Sequence, residues 1–287
     1  MTGAVGQPLI GFIGQGYVGR NYADDFETRG HRVVRYALEE PYRANKEKIA
    51  DCGIVFIGVP TPTTVAGFDD SIVREAIELV GVGKTAVIKS TIVPGTTMKL
   101  QEAYPDRIIL FSPEFLSEAT AAADAAHPFS NIIGLPVDDE AHQAAAEQVQ
   151  ALLPPASFSQ VMSSTEAELT KYTHNASGYM QIVFFNLMYD LAQSLGVEWA
   201  PIEAAIKADP YICNRYAKPV HKSGRGAGGH CFIKDFAALR AAYEEATEDA
   251  PGVAVFTALE KKNAALLTAS GKSVDLLATV YGTQIEV

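Results

Sequence analysis

The segment from Leu9 to Gly19, LIGFIGQGYVG, decides the fold of this 287-residue chain. It opens with a short apolar run, as a buried strand does, and residues 14–19 have the form G-x-G-x-x-G. An amphipathic segment follows to about Arg29, and then Gly30 and a second strand-like run, HRVVRY. In a dinucleotide-binding turn the first glycine makes the bend, the second admits a pyrophosphate and the third lets helix pack on strand. The segment therefore predicts a strand, a glycine turn, a helix and a strand that together bind a dinucleotide.

Strand-like and helical runs continue to alternate after this unit. Further strands are predicted at Gly53–Val59, Thr85–Lys89, Arg107–Phe111 and Asn131–Leu135, and helices near residues 70–80 and 138–152. This alternation predicts an α/β fold with a Rossmann-like doubly wound parallel sheet over residues 1–162. Helical patterns then cover residues 164–196, a segment near Pro201, Lys234–Glu245 and Val253–Ala269, which predicts an all-helical domain over residues 163–287.

The end of the second strand bears on the choice of dinucleotide. An acidic residue that binds the ribose hydroxyls belongs there, and Ala37 stands in its place. Arg35 is close enough in sequence to suggest a 2′-phosphate, but Glu39 and Glu40 would repel one. We therefore expect NAD as the cofactor.

Composition limits the class of protein and its partners. The chain is 48% hydrophobic and 20% charged, as expected for a globular protein with a full core. The net charge of −11 argues against nucleic acid or an anionic membrane surface as a partner. No signal peptide or membrane-spanning run is evident. Three cysteines without C-x-x-C spacing predict no disulfide framework and no metal site, and favour a cytoplasmic protein.

Polar residues follow three of the predicted strands. The segments PTPTT, STIVPGT and SPEFLSE contain Thr61, Thr91, Glu114 and Glu118. Ligands bind beyond the carboxyl ends of the strands in doubly wound sheets, so these four are candidate site residues. The alternative is that each is an ordinary polar residue of a loop.

A glycine-rich segment in the second half, GRGAGGHCFIKD (224–235), carries the most reactive side chain. Its glycines permit positive φ, and the helical pattern that follows places Cys231 at a helix N-terminus. Free N–H groups and the positive dipole end there favour a thiolate. Asp235 lies one turn further along the helix. The alternative is that Cys231 is a small buried hydrophobic residue.

The long helix over residues 164–196 suggests both a site and an interface. Ser164 or Thr165, with Glu168, has the form of a capping box. Lys171 and Asn175 share one face, although an isolated lysine on a helix is usually solvated. An apolar stripe on this helix is longer than one small domain readily covers, so we expect a homodimer built on it.

Six motifs in one order carry a resemblance to a known family. They are GQGYVG (14–19), VPTP (59–62), KSTIVPGT (89–96), SPEFLSEAT (112–120), KYTHN (171–175) and GAGGHCFIKD (226–235). Over about residues 9–245 the chain resembles the UDP-glucose/GDP-mannose dehydrogenase family. Members of that family oxidise the primary alcohol of a nucleotide sugar to a carboxylate with two NAD in succession.

The resemblance also implies roles for residues at matching motif positions. Cys231 resembles the nucleophile that captures the aldehyde as a thiohemiacetal, which is oxidised to a thioester and hydrolysed. Lys171 and Asn175 resemble the pair that stabilises oxyanions, while Asp235, Thr91 and Glu118 resemble the groups that hold or activate water. The implied substrate-binding residues are Glu114, Phe115, Leu116 and Gly228. The implied cofactor-binding residues are Gly14, Gly16, Tyr17, Val18, Gly19, Thr61, Thr91, Glu118 and Lys234.

The chain also departs from the family's pattern. Ala37 replaces the ribose-binding acid, and Tyr211 replaces an arginine that reaches a neighbouring subunit's sugar nucleotide. The sequence ends about 56 residues after Cys231, which indicates a short member lacking the C-terminal nucleotide-binding domain. Two other functions therefore stay open. One is a β-hydroxyacid dehydrogenase, which also uses a lysine and an asparagine on a helix but needs no cysteine, and the other is a non-catalytic NAD-binding or scaffold protein.

Overall fold

The computed structural model describes residues 8–222 and 224–282, and the chain divides into two compact units. The first unit contains the chain up to Thr61 together with Asp69–Lys171, and the second contains Pro62–Phe68 and the chain from Tyr172 onward. The sequence placed a boundary at residue 162, whereas this division falls inside the long helix Ser164–Ser194. None of the helices in the described ranges is long and apolar enough to cross a bilayer.

Eleven strands and ten α-helices occur in the described part of the chain. The strands are β1 Ile10–Ile13, β2 Val33–Tyr36, β3 Ile54–Ile57, β4 Thr63–Thr64, β5 Gly67–Phe68, β6 Thr85–Ile88, β7 Ile108–Phe111, β8 Ser130–Leu135, β9 Phe158–Ser163, β10 Val220–His221 and β11 Gly224–Arg225. The helices are α1 Tyr17–Thr28, α2 Ser71–Glu78, α3 Thr96–Ala103, α4 Ala121–Ala126, α5 Glu140–Leu152, α6 Ser164–Ser194, α7 Trp199–Ala208, α8 His230–Ala246, α9 Ala250–Ser270 and α10 Val274–Tyr281, and a 3₁₀ segment covers Tyr42–Asp51.

The first unit is built on a seven-stranded sheet in the order β2-β1-β3-β6-β7-β8-β9. Neighbouring strands are parallel except for β7 and β8, which pair antiparallel at Phe111 and Gly134. The predicted Rossmann-like sheet is confirmed, with this one antiparallel pair as a correction. The edge strand β9, FSQVMS, was not predicted from the sequence, because it is exposed at five of its six positions and has no buried apolar face.

The core of the first unit follows from the pattern of its central strands. Every residue of β1, β3 and β6 is buried, as expected for parallel strands covered on both faces. On α1 the buried residues recur at helical spacing and end with Phe26, which has no exposed surface. The Phe26 ring lies 5.2 Å from the rings of Phe12 and Phe56. Burying such a ring contributes about 2 kcal/mol, which fixes α1 against the sheet.

The second unit is mainly helical, as predicted. The rings of Tyr179 on α6 and Phe236 on α8 stack with centroids 3.9 Å apart. A second cluster joins α8, α9 and α10 through side chains that include Ile233, Leu267 and Leu277. The short hairpin of β4 and β5 belongs to this unit and contacts α8.

The start of α6 differs from the sequence prediction. The capping box is formed by Ser163 and Glu166: the Ser163 N–H donates to the Glu166 carboxylate at 2.9 Å, and the Glu166 N–H donates to the Ser163 hydroxyl at 3.3 Å. Glu168 is fully buried and instead accepts bonds from the N–H groups of Gly95 and Thr97 at 2.6 and 2.8 Å. It therefore caps α3, the helix that follows the STIVPGT segment. Burial raises the pKa of Glu168, and these hydrogen bonds offset part of that rise.

Replacing Glu168 tests this cap. Glu168→Ala leaves the buried N–H groups at the start of α3 without an acceptor, so we expect a loss of about 3 kcal/mol in the free energy of unfolding. Glu166→Ala, in the same turn of α6 but exposed, is the matched control and should cost much less. Urea titration of both variants measures the difference, and equal losses would show that Glu168 has no special role.

Candidate functional site

The turn between β1 and α1 has no room for side chains at two of its glycines. Gly14 has φ +88°, and a Cβ there would lie 2.2 Å from the carbonyl oxygen of Gly58. A Cβ on Gly19 would lie 1.9 Å from the carbonyl oxygen of Gly14. Gly16 is different, because a Cβ there would meet nothing within 4 Å. The first and third glycines are thus required by packing, and the second faces open space at the start of the helix.

This open space suits the pyrophosphate of a dinucleotide. Gly16 is the N-cap of α1 and makes no side-chain capping bond, and the first turn of α1 has no acidic residue. An uncapped helix N-terminus presents N–H donors and a positive dipole end to an anion. The residues present therefore fit a bound dinucleotide.

The surroundings of β2 favour NAD over NADP. Arg35 forms ion pairs at 2.7 Å with the carboxylates of Asp24 and Glu27, which both lie on α1. Ala37 is 6% exposed and brings no ribose-binding acid.

Hydrogen bonds join the segments that follow β3 and β6. The buried Thr61 hydroxyl donates to the carbonyl of Thr91 at 2.7 Å. The Ser90 hydroxyl donates to the Val59 carbonyl at 2.7 Å and accepts from the Val59 N–H at 2.9 Å. The two predicted site residues Thr61 and Thr91 are therefore neighbours. Glu118 is exposed, on the segment between β7 and α4.

Glu114 and Lys171 form a buried ion pair. Lys171 is 4% exposed, and its Nζ donates to the carbonyl of Glu114 at 2.6 Å and to its carboxylate at 2.9 Å. The other Glu114 oxygen accepts from the Leu116 N–H at 2.7 Å, and Nζ lies 5.4 Å from the centre of the Phe115 ring. The alternative that Lys171 is a solvated surface lysine is wrong. The side chain of Leu116 is partly buried and packs against the core of the first unit.

Lys89 is a buried titratable group that was not predicted as a site residue. It is 3% exposed, and its Nζ donates to the carbonyl and hydroxyl of Ser112, both at 3.2 Å. It also lies 4.3 Å from the centre of the Tyr22 ring on α1. Burial lowers the pKa of Lys89 to about 7; Glu114 acts against this shift and Lys171 adds to it. Its position in the KSTIVPGT motif, directly after an apolar strand, was the only signal in the sequence.

In the second unit, the glycine segment leads into a helix as the sequence predicts. Gly226 and Gly229 have φ values of +89° and +86°, and Gly229 is the N-cap of α8. Cys231 is the second residue of α8 and is exposed. The alternative that Cys231 is a buried hydrophobic residue is therefore wrong.

Asp235 lies one turn after Cys231 and is 2% exposed. One of its oxygens accepts from the side-chain amide of Asn175 at 2.7 Å, and the other accepts from Lys234 Nζ at 2.5 Å. The carboxylate thus fixes the amide of Asn175 on α6. It also engages Lys234, which was expected to contact the cofactor.

The unusual environment of Lys89 predicts how stability depends on pH. Because its pKa in the folded state is about 7, against 10.5 for an ordinary lysine, the unfolded chain binds more protons between these values. The wild type should therefore gain stability relative to Lys89→Met as the pH rises from 7 towards 10, by about 1.4 kcal/mol per pH unit. Urea titrations at pH 7, 8 and 9 measure this difference.

The matched control is Lys99→Met, which removes an exposed lysine of the same unit. Its stability should run parallel to that of the wild type over the same pH range. A parallel course for Lys89→Met as well would show that Lys89 titrates like an ordinary lysine.

Both halves of the chain match domains of one known protein family. Residues 40–153 match the UDP-glucose/GDP-mannose dehydrogenase family, NAD binding domain, and residues 165–265 match the central domain of that family. UDP-glucose 6-dehydrogenase AglM of Haloferax volcanii is 29% identical over 283 residues, which cover 81% of this chain and 65% of that protein. The structure of a UDP-glucose dehydrogenase from Pyrobaculum islandicum is similar with a TM-score of 0.76 at 27% identity, covering 96% of this chain and 72% of that one.

A further structure shares the fold alone. It is 3-hydroxyisobutyrate dehydrogenase of Mycobacterium tuberculosis, with a TM-score of 0.72 at 16% identity, covering 93% of this chain and 96% of that one.

The chain spans 49%, 65% and 42% of the length of three curated relatives, so about half of a typical one. The match to the NAD binding domain confirms NAD as the cofactor predicted from the glycine turn. The two domain matches together cover most of the described residues, in the order that the sequence motifs predict. The chain belongs to the UDP-glucose/GDP-mannose dehydrogenase family.

Proposed function

We propose that this protein uses NAD to oxidise the primary alcohol of a sugar or nucleotide sugar to a carboxylate, in two steps. The observation that carries the proposal is the exposed Cys231 in the first turn of α8, at the end of a glycine loop. The N–H groups and dipole of a helix N-terminus favour the thiolate, the reactive form of cysteine. Two relatives of this chain are named UDP-glucose 6-dehydrogenase, which supports this class of substrate.

The proposed chemistry uses Cys231 to hold the substrate between two oxidations. When bound, NAD supplies the hydride acceptor for each oxidation, so two NAD are consumed per substrate. The Cys231 thiolate attacks the carbon of the first product, an aldehyde, and the carbonyl oxygen takes a proton to give a thiohemiacetal. The second oxidation removes a hydride from the carbon and a proton from the hydroxyl of the thiohemiacetal, which leaves a thioester. Water then attacks the thioester carbon, the carbon–sulfur bond breaks, and the carboxylate and the Cys231 thiolate are released as two protons pass to solvent.

Asn175 and Lys171 are proposed to stabilise negative charge on the reacting oxygen. Asn175 donates one amide hydrogen to Asp235, and an amide has a second to offer. Two of the three N–H donors of the Lys171 ammonium bond Glu114, and the third is proposed to bond the oxyanion. A fixed donor of this kind contributes about 3 kcal/mol to lowering the barrier.

The remaining site residues keep the roles that the family implies, as part of the same proposal. Asp235, Thr91 and Glu118 are proposed to hold or activate water, and Glu114, Phe115, Leu116 and Gly228 are proposed to bind the substrate. The NAD-binding residues are Gly14, Gly16, Tyr17, Val18, Gly19, Thr61, Thr91, Glu118 and Lys234.

A second candidate function is the single oxidation of a β-hydroxyacid. It is favoured by the similarity of fold to 3-hydroxyisobutyrate dehydrogenase, and Lys171 would then be the proton carrier. This chemistry gives Cys231 and its glycine loop no task, so we place it second. A non-catalytic protein that binds NAD is the third candidate, and Ala37 favours it.

Replacing Cys231 separates these candidates. The wild type should release two NADH per substrate when assayed against a panel of sugar nucleotides and free sugar alcohols. Cys231→Ser should lose the second oxidation, because an alkoxide is far harder to form than a thiolate at neutral pH. Cys213→Ser, which changes another exposed cysteine, is the control and should keep both.

Other outcomes point to the other candidates. One NADH per hydroxyacid, unchanged in Cys231→Ser, would establish the β-hydroxyacid reaction. NAD binding by calorimetry without NADH from any substrate of the panel would establish the non-catalytic protein.

We also propose that the chain forms a homodimer through α6. Exposed apolar side chains recur along one stripe of this helix, at 41–67% exposure: Met180, Phe184, Leu187, Leu191 and Leu195. Within the second unit, most of this stripe lines an apolar groove that also includes Ile202, Ile206 and Tyr211. Contiguous apolar surface of this kind marks an interface, and a second copy would bring an identical stripe.

A charge placed on the stripe tests the dimer. The wild type should have twice the chain mass by light scattering at micromolar concentration, and Phe184→Glu should be monomeric because a carboxylate would be buried in the interface. Leu38→Glu, which changes an exposed apolar residue of the first unit, should leave the mass unchanged. A monomeric wild type would contradict the proposal.

A further inference from the structure

Asn263, in the middle of α9, bonds both backbone groups of one residue in the glycine loop. Its Oδ1 accepts from the Ala227 N–H at 2.7 Å, and its Nδ2 donates to the Ala227 carbonyl at 3.0 Å. Asn263 and Ala227 are 1% and 0% exposed, so water does not compete for these bonds. Two bonds to one residue fix the orientation of its backbone, as a neighbouring β-strand does.

The residues that end α9 and precede α10 hold the rest of the loop. The Arg225 N–H donates to the Ser270 hydroxyl at 3.1 Å, Lys272 Nζ donates to the Gly226 carbonyl at 2.9 Å, and the Gly229 N–H donates to the Ser273 hydroxyl at 3.2 Å. The packing is close as well as polar. A Cβ on Gly228 would lie 2.8 Å from the Ser273 hydroxyl oxygen, and one on Gly226 would lie 3.0 Å from Asn263 Oδ1.

This set of contacts determines where α8 begins. The loop contains four glycines, which leave the backbone more freedom than any other residue type. Two of them, Gly226 and Gly229, adopt positive φ, and Gly229 is the N-cap of α8. Gly229 has no side chain with which to cap the helix, so the loop conformation relies on its partners in α9 and the turn after it.

We infer that Asn263 is a positioning residue for Cys231. By fixing Ala227, it holds the loop in the conformation that starts α8 at His230 and so sets the first helical turn around Cys231. This inference rests on the proposed function, in which Cys231 reacts as a thiolate. Without Asn263 the loop gains freedom and the first turn of α8 frays, which removes the ordered N–H groups that favour the thiolate.

The test measures the reactivity of Cys231 and does not need the substrate. The rates of alkylation by iodoacetamide at Cys231 and Cys213 are followed by mass spectrometry from pH 5 to 9, in the full chain. Asn263→Leu has nearly the same shape as the wild type but lacks both bonds to Ala227. Ser273→Ala is a milder second variant, which removes only the bond to Gly229.

A buried asparagine elsewhere provides the matched control. Asn131 is 6% exposed in the first unit, and its amide donates to the Pro154 carbonyl at 2.7 Å. Asn131→Leu should therefore lower the stability of the protein without changing the pH profile of alkylation at Cys231. The titratable and charged groups of α8 other than its cysteine and tyrosine are His230, Lys234, Asp235, Arg240, Glu244 and Glu245, and those close to it include Glu260 and Lys272. None of these variants changes any of them.

In the wild type, the midpoint of the pH profile for Cys231 should lie below that for Cys213. Asn263→Leu should raise it by about one pH unit, which corresponds to about tenfold slower alkylation below the midpoint. Ser273→Ala should raise the Cys231 midpoint by less. The pH profile of alkylation at Cys213 should be the same in every variant. Hydrogen exchange of the peptide over residues 225–230 should be faster in Asn263→Leu.

Two opposite results have different meanings. A low wild-type midpoint that stays unmoved in both loop variants would overturn the positioning role and leave the proposed function intact. A wild-type midpoint equal to that of Cys213 would overturn the proposed thiolate chemistry, and the positioning role with it.

Discussion

The close approach of backbone to backbone at the first glycine turn is the constraint on which the first unit depends. A side chain on Gly14 would collide with the carbonyl of Gly58, and one on Gly19 would collide with the carbonyl of Gly14. Without these contacts α1 could not lie close enough to the sheet for the Phe26 ring to pack against the rings of Phe12 and Phe56. The same closeness leaves the N-terminus of α1 uncapped and open at Gly16. One steric requirement thus produces both the packing of the helix and its ability to receive an anion.

The second unit uses a glycine loop for a different end. At β1 and α1 the glycines avoid a collision within a buried turn, whereas at 224–229 they allow a path that polar side chains then hold. Glycine leaves this loop flexible, and hydrogen bonds restrict its backbone to one path. The side chains that form them belong to Asn263, Ser270, Lys272 and Ser273. Both loops end at a helix N-terminus. The first suits a negative charge on a bound cofactor, and in the proposed mechanism the second favours a negative charge on the sulfur of Cys231.

Local sequence patterns predicted much of this architecture. They did not predict the contacts between residues that are distant in the sequence. Positive φ at Gly14 and the fully buried strands could be predicted because each depends on residue type and spacing within a short window. The strand β9 has no buried apolar face, so periodicity could not reveal it. Glu168 has the spacing of a capping box in the sequence, yet it caps a helix 71 residues away. No local pattern separates these two uses of a glutamate, and the same holds for Asn263 and its partner Ala227.

The buried lysines of the first unit show why residue type alone predicts charge poorly. Lys171 and Lys89 are both almost fully buried, and each is the first residue of a motif shared with the family. The carboxylate of Glu114 is in direct contact with Lys171, whereas the partners of Lys89 are the neutral oxygens of Ser112 and the ring of Tyr22. Burial lowers the pKa of Lys89 to about 7, because it disfavours the charged form. Glu114 acts on Lys89 only from a distance and offsets only part of this effect. The position of one carboxylate, within contact of one lysine and beyond contact of the other, therefore sets the electrostatics at this edge of the sheet.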